Sequence, residues 1–226
     1  MNAASASRIL LVDDLALVRR MIPARLGALG REVDAVASAA EARDYIARQR
    51  PDLILLDVIM PGLDGLSFCR ELKADPATRD IPVVILTDLA GNAHERSLDA
   101  GAEDYMPKRI DDAVMRIRVQ LHMRLLDLRK QGEGRPSRPR PDDRLLIVDT
   151  ALGMEDLHGV LAQIRMEEAT AGLPVLLLCE KQELTQLLAI EFMVDDVLWK
   201  PLKATVNRHR LGILLELARR TYGDLG

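Results

Sequence analysis

Cysteine is scarce. The chain has two in 226 residues, Cys69 and Cys179, too few for a disulfide scaffold and without a partner at metal-ligand spacing. Long apolar runs are also missing, and none approaches the roughly 18–20 residues that cross a bilayer. The opening "MNAASASR" lacks the charged and apolar parts of a signal peptide. Excess positive charge is missing too: the net charge of −4 gives no support for nonspecific nucleic-acid binding. The one basic cluster, from Arg135 to Arg140, is broken by Pro and Ser and reads as linker. These absences lead us to expect a cytoplasmic protein with neither a membrane nor a nucleic acid as partner. What remains, 48% apolar and 29% charged residues, is enough to bury a real core.

Short apolar runs alternate with longer amphipathic ones. Strands are expected at 8–13, in "EVDAVAS" (32–38), and at 53–57, 82–87 and 103–107. Helices are expected at about 15–29, 39–49, 64–74 and 91–100, with a long one starting near Asp111. Strands that are apolar throughout and alternate with helices indicate a parallel sheet covered on both faces. The long helix carries Val114, Ile117, Leu121, Leu125 and Leu128 on one stripe. That stripe suits packing on its own sheet or pairing with another helix. The helix stops before "GEGRPSRPRP" (132–141), a Gly/Pro/Arg linker.

Ligands of a doubly wound sheet sit at the carboxyl ends of its strands. Asp13 and Asp14 close the first strand and Asp57 the third; Thr87 closes the fourth, and Lys108 follows the fifth. Three carboxylates brought together repel one another. A divalent cation relieves this, and an all-oxygen site suits Mg²⁺. Cation, ammonium and hydroxyl around one carboxylate make a place for phosphoryl oxygens. Asp57 would then be the nucleophile, because aspartate can form an acyl phosphate.

The stretches "VDD" (12–14), "LLDVIMPGLDG" (55–65), "PVVILT" (82–87) and "GAEDYMPK" (101–108) resemble the receiver domain of two-component response regulators. The resemblance covers residues 8 to about 127. It implies a flavodoxin-like, doubly wound, five-stranded parallel sheet of order 2-1-3-4-5. It implies that Asp57 accepts a phosphoryl group from a phosphohistidine on a sensor histidine kinase or phosphotransfer protein. It also implies that Asp13, Asp14 and the backbone carbonyl of Ile59 hold Mg²⁺ together with Asp57. Thr87 and Tyr105 match the family's switch positions, and Lys108 its phosphate-pairing lysine. Pro61, Gly65 and Asp64 read as turn and helix-cap devices. The sequence departs from the family after Lys108, where Arg109 stands in place of the usual proline.

Beyond the linker the chain repeats itself. A shift of 92 residues lays 53–57 on 145–149 and "IPVVIL" on "LPVLLL", and pairs Asp57 with Asp149, Thr87 with Cys179 and Lys108 with Lys200. Only the back half of the first unit is repeated, and the acidic pair has no counterpart. Asp149, Cys179 and Lys200 are therefore read as degenerate and inactive. The expected domains are a receiver at 8–130 with an extended last helix, a linker at 131–142, and a partial receiver-like α/β unit at 143–226. The bare edge of strand 145–149 invites pairing, with a second copy, the long helix or another protein as the cover.

The order of a complete receiver, a degenerate one and a trailing helix is similar to the input half of PleD-type diguanylate cyclase regulators. In those proteins the second receiver mediates dimerisation, so a homodimer is expected. No Gly-Gly pair, and so no cyclase signature, occurs in these 226 residues. Two alternatives stand beside the phosphorelay reading. One is a phosphate-independent scaffold that uses the receiver fold for protein binding. The other is an aspartate-nucleophile phosphatase, disfavoured because "VDDL" lacks the Asp-x-Asp spacing.

Overall fold

The computed structural model describes residues 8–88, 93–130, 145–150, 154–168, 170–180, 189–200 and 204–221. Packing divides the chain into two compact units that meet in sequence between Asp112 and Ala113. The expected linker at 131–142 lies outside the described residues.

The first unit runs β1 (Arg8–Val12), α1 (Ala16–Leu26), β2 (Glu32–Val36), α2 (Ala39–Arg48) and β3 (Leu53–Asp57). It continues with α3 (Gly65–Ala74), β4 (Val83–Leu86), α4 (Ala93–Asp99) and β5 (Asp104–Met106). All five strands are parallel, in the order β2-β1-β3-β4-β5, as expected. The central strands are the most apolar because helices cover both their faces. Every residue of β3 and β4 is buried. On one face Leu10, Ile54, Leu56, Val83 and Ile85 pack with Phe68, Cys69 and Leu72 of α3. β2, at the sheet's edge, is half-buried and more polar. Two N-caps start their helices as the side chains require. Ser38 Oγ accepts from Glu41 N–H, and Asp64 Oδ1 accepts from Ser67 N–H at 3.1 Å. The Ser67 hydroxyl and the Ser67 and Leu66 amides hold the Asp64 carboxyl below its ordinary pKa.

The second unit holds α5 (Asp112–Lys130), β6 (Leu146–Asp149), α6 (Met154–Met166), β7 (Val175–Cys179), β8 (Asp196–Trp199) and α7 (Ala204–Thr221). Its sheet is parallel, in the order β6-β7-β8. The first unit is expected to run to residue 130; by packing, α5 groups with the elements that follow it. Leu121 and Leu125 of α5 share a cluster with Leu176, Leu198, Ile213, Leu214 and Leu217. The apolar stripe of α5 is thus part of the second unit's core, beside α7.

The repeat survives in the hydrogen bonds. Ile54 N–H donates to Pro82 O at 2.9 Å, and Leu146 N–H to Pro174 O at 2.9 Å. Thr78 Oγ1 donates to Leu72 O and Thr170 Oγ1 to Ile164 O. Lys73 reaches Ile81 O and the Glu103 carboxylate, which accepts Val83 N–H. Arg165 reaches Leu173 O and the Asp195 carboxylate, which accepts Val175 N–H. Each pair of equivalents is 92 residues apart. Chance similarity of two apolar segments would not reproduce side-chain clamps in register.

Candidate functional site

β1 and β3 are neighbours in register, Val12 beside Leu56, so the residues that follow them emerge side by side at one end of the sheet. This brings Asp13, Asp14 and Asp57 together. Each offers a carboxylate oxygen, and the three atoms lie within 4.8 Å of one another. It is the one acidic cluster of this kind among the described residues. Asp13 and Asp57 are buried, at 0% and 2% exposure, and Asp14 is half-buried.

Lys108 closes the site from the end of β5. Its Nζ lies 2.7 Å from Asp13 Oδ2 and 2.8 Å from Asp57 Oδ2. Burial opposes its charge, yet the hydrogen bonds to both carboxylates prevail and raise the ammonium's pKa. Burial pushes the Asp57 carboxyl up; Lys108 and the Ile59 N–H pull the other way without cancelling it. Asp57 Oδ1 is buried and accepts no hydrogen bond. An uncompensated buried carboxylate oxygen is costly, and a cation shared with Asp13 and Asp14 would remove that cost. The donor set is all oxygen and therefore fits a hard divalent ion such as Mg²⁺.

The loop after β3 is shaped to leave the carboxylate unobstructed. Gly62 has φ +84, a conformation that glycine adopts without steric cost. Gly65, at the start of α3, lies directly against the Asp57 peptide. A Cβ there would be 1.9 Å from Asp57 O, and Gly65 N–H donates to Val58 O at 2.9 Å. Ile59 is 60% exposed and its N–H supports the Asp57 carboxylate.

Thr87 follows β4 and is buried. Its N–H donates to Met106 O at 3.1 Å, and its carbonyl accepts from the Tyr105 hydroxyl at 3.5 Å. The two residues read as switch positions are therefore in contact. Tyr105 is half-buried and meets the His94 ring edge-on at 6.0 Å. Arg109 is 90% exposed at its side chain and faces Asp88 at 3.4 Å.

Two residues of α1 were not singled out in the sequence. Arg19 Nη1 donates to the carbonyls of both Asp13 and Asp14, each at 2.7 Å. Arg25 reaches the turn that carries Lys108. Both look like ordinary solvated helix charges in the sequence, and no local pattern marks them as loop clamps.

In the second unit, Lys200 pairs with Asp149 as Lys108 does with Asp57. The resemblance ends there. Asp149 is 40% exposed at its side chain, it belongs to no cluster of three or more metal-ligating side chains among the described residues, and Cys179 is buried and in no disulfide.

The family model described as "Response regulator receiver domain" matches residues 9–120. "Response regulator PleD" of Caulobacter vibrioides is 31% identical over 277 residues, covering 97% of this chain and 61% of PleD. That aligned stretch is longer than the 226 residues here, so some PleD residues within it have no counterpart. "Response regulator MprA" of Mycobacterium sp. (strain KMS) is 42% identical over 118 residues, 50% of each chain. The chain thus spans 61% and 50% of the lengths of these curated relatives. Among solved structures, a putative response regulator from Chloroflexus aurantiacus is 32% identical. The match covers 52% of this chain and 98% of that one, with a TM-score of 0.50.

Proposed function

The chain belongs to the response regulators, through the receiver domain at residues 9–120, and from that premise we propose that Asp57 is its phosphoryl acceptor. One observation carries the reading. Asp57 is buried against Lys108 and within an oxygen's reach of Asp13 and Asp14, while its own Oδ1 accepts nothing. A carboxylate arranged in this way is held ready rather than used for structure.

The Asp57 oxygen attacks the phosphorus of a phosphohistidine on a sensor kinase or phosphotransfer protein. The P–N bond breaks as the P–O bond forms, and the imidazole leaves with the electron pair. Asp13, Asp14, Asp57 and the Ile59 carbonyl would hold Mg²⁺, which would supply charge neutralisation to the phosphoryl oxygens. Lys108 stays beside the new phosphoryl group. The Thr87 hydroxyl turns toward it, and the Thr87–Tyr105 contact carries the change outward. The donor protein has an apolar landing area on the rim, since Leu15, Leu17, Met21 and Ile59 are all large and exposed.

The second unit is a silent adaptor, because Asp149 lacks an acidic pair. Its output is contact with a second copy or another cytoplasmic protein. No helix among the described residues is long and apolar enough to cross a membrane.

Intact mass after incubation with a small acyl phosphate and Mg²⁺ tests the assignment. We expect one added phosphoryl group in the wild type and in Asp149→Asn, and none in Asp57→Asn. No added mass in any of the three would favour the phosphate-independent scaffold.

A further inference from the structure

Lys108 does its work from the turn that follows β5, and the chemistry of that turn is unusual. Its ammonium must stay within hydrogen-bond distance of two buried carboxylates, at 2.7 and 2.8 Å. Yet the next residue is Arg109, whose side chain is 90% exposed and whose backbone has none of proline's rigidity. Within the turn, Ile110 N–H donates to Pro107 O at 3.2 Å, one bond at the long end of the range. Something else has to hold the turn.

Arg25, from the last turn of α1, meets three groups there. Its Nη1 donates to Lys108 O at 2.8 Å, its Nη2 donates to Ile110 O, and its Nε lies 2.6 Å from Asp112 Oδ1. The side chain is 11% exposed, so the guanidinium is largely withdrawn from water. A planar fork that takes carbonyls on both sides of Arg109 and a carboxylate beyond fixes the turn in a way that one ammonium cannot. α1 begins three residues after Asp13, at Ala16, and Arg19 on the same helix holds the carbonyls of Asp13 and Asp14. One helix therefore fixes the acidic pair near its start and the lysine turn near its end.

We infer that Arg25 is a positioning residue for Lys108, fixing the 108–110 turn by side-chain hydrogen bonds so that the ammonium stays on Asp13 and Asp57. The inference rests on Asp57 being the phosphoryl acceptor. Arg25 touches no reacting atom and acts only through the lysine. Without it the Lys108 and Ile110 carbonyls lose their donors, the turn relaxes, and the ammonium drifts from the carboxylates. A displacement of about 1 Å near a reacting centre can cost on the order of 100-fold in rate.

A double-mutant cycle on the full chain tests this. The phosphorylation rate with a small acyl phosphate and Mg²⁺ is compared in wild type, Arg25→Ala, Lys108→Ala and the double variant. Arg25→Ala should be slower by roughly tenfold, with unchanged Mg²⁺ affinity by calorimetry, because Asp13, Asp14 and Asp57 are untouched. The double variant should be no slower than Lys108→Ala alone, since residues acting as a unit are not additive. Arg25→Lys restores the charge without the fork and should recover only part of the rate. Additive losses, a wild-type rate in Arg25→Ala, or a Mg²⁺ affinity that falls with the rate would overturn the inference. Nuclear magnetic resonance keeps the test independent of phosphorylation. An ammonium signal from Lys108, protected from exchange by its two carboxylates, should be present in wild type and lost in Arg25→Ala. If wild type takes no phosphoryl group but this signal behaves as expected, the acceptor assignment fails and the positioning stands. If the signal persists in Arg25→Ala, the positioning fails whatever the labelling shows.

Discussion

Asp57 is held at a cost. Burial raises its pKa, so the folded protein binds a proton there more tightly than the unfolded chain does. Stability therefore falls as pH rises from the ordinary carboxylate range through the raised value. At neutral pH the ionised group opposes folding, and Asp57→Asn should raise the melting temperature. Below the ordinary carboxylate range the wild-type group is protonated in both states, and the gain should vanish. Thermal melts of both proteins across pH 3–8 check the sign. Mg²⁺ should act in the opposite sense. A ligand present at about 100 times its dissociation constant stabilises by about 2.7 kcal/mol. The wild type should gain on that scale and Asp57→Asn far less. Lys108 has the complementary dependence. Its raised pKa means that its contribution is complete below the ordinary lysine range and is lost only as pH climbs through the raised value.

At the scale of elements, the tightest constraint is between α3 and the end of β3. Gly65→Ala places a carbon 1.9 Å from Asp57 O. The helix or the peptide must move, at roughly 1–3 kcal/mol for a core overpacking. Phosphorylation should fall with it, because the strained peptide is that of the proposed acceptor; denaturant melts and mass labelling read the two effects separately. The strands and acidic positions were legible because period, burial and strand ends all point the same way. "LILLD" can only be a covered strand that ends at the site. Arg19 and Arg25 were not legible. A helix arginine that meets solvent and one that grips carbonyls 83 residues away have the same local sequence. The extent of α5 was legible but its allegiance was not, since an apolar stripe does not say which sheet it will cover.

For the whole molecule, that allegiance decides how the second unit can be handled. Leu121 and Leu125 lie at 2% and 4% exposure in a core with β7, β8 and α7. Arg116 adds a buried ion pair to Glu191 at 2.7 Å. A fragment of residues 113–226 should therefore unfold cooperatively, whereas one beginning at 143 should not, as denaturant titration would reveal. Leu125→Ala in the full chain should cost about 2–5 kcal/mol, read as faster amide exchange in β7. Within the same unit Arg210 and Asp196 are an ion pair buried to 1% and 0%. Removing only the carboxylate, in Asp196→Ala, should cost roughly 3–5 kcal/mol.

The two in-register clamps differ in a way that bears on how the chain avoids confusing its halves. The first joins a shorter base to a longer acid, Lys73 to Glu103; the second joins a longer base to a shorter acid, Arg165 to Asp195. Each pair spans its own gap. A strand exchange between the repeats would bring Lys73 to Asp195, which falls short, or Arg165 to Glu103, which crowds. A mismatch in reach of this kind would disfavour such an exchange during refolding, when tandem repeats are most prone to mispair. Converting the second clamp to the first, with Arg165→Lys and Asp195→Glu together, should lower native stability, because one ammonium cannot keep the guanidinium's bonds to Met193 O, Ala171 O and Leu173 O. It should also enlarge the misassembled fraction recovered after dilution from denaturant.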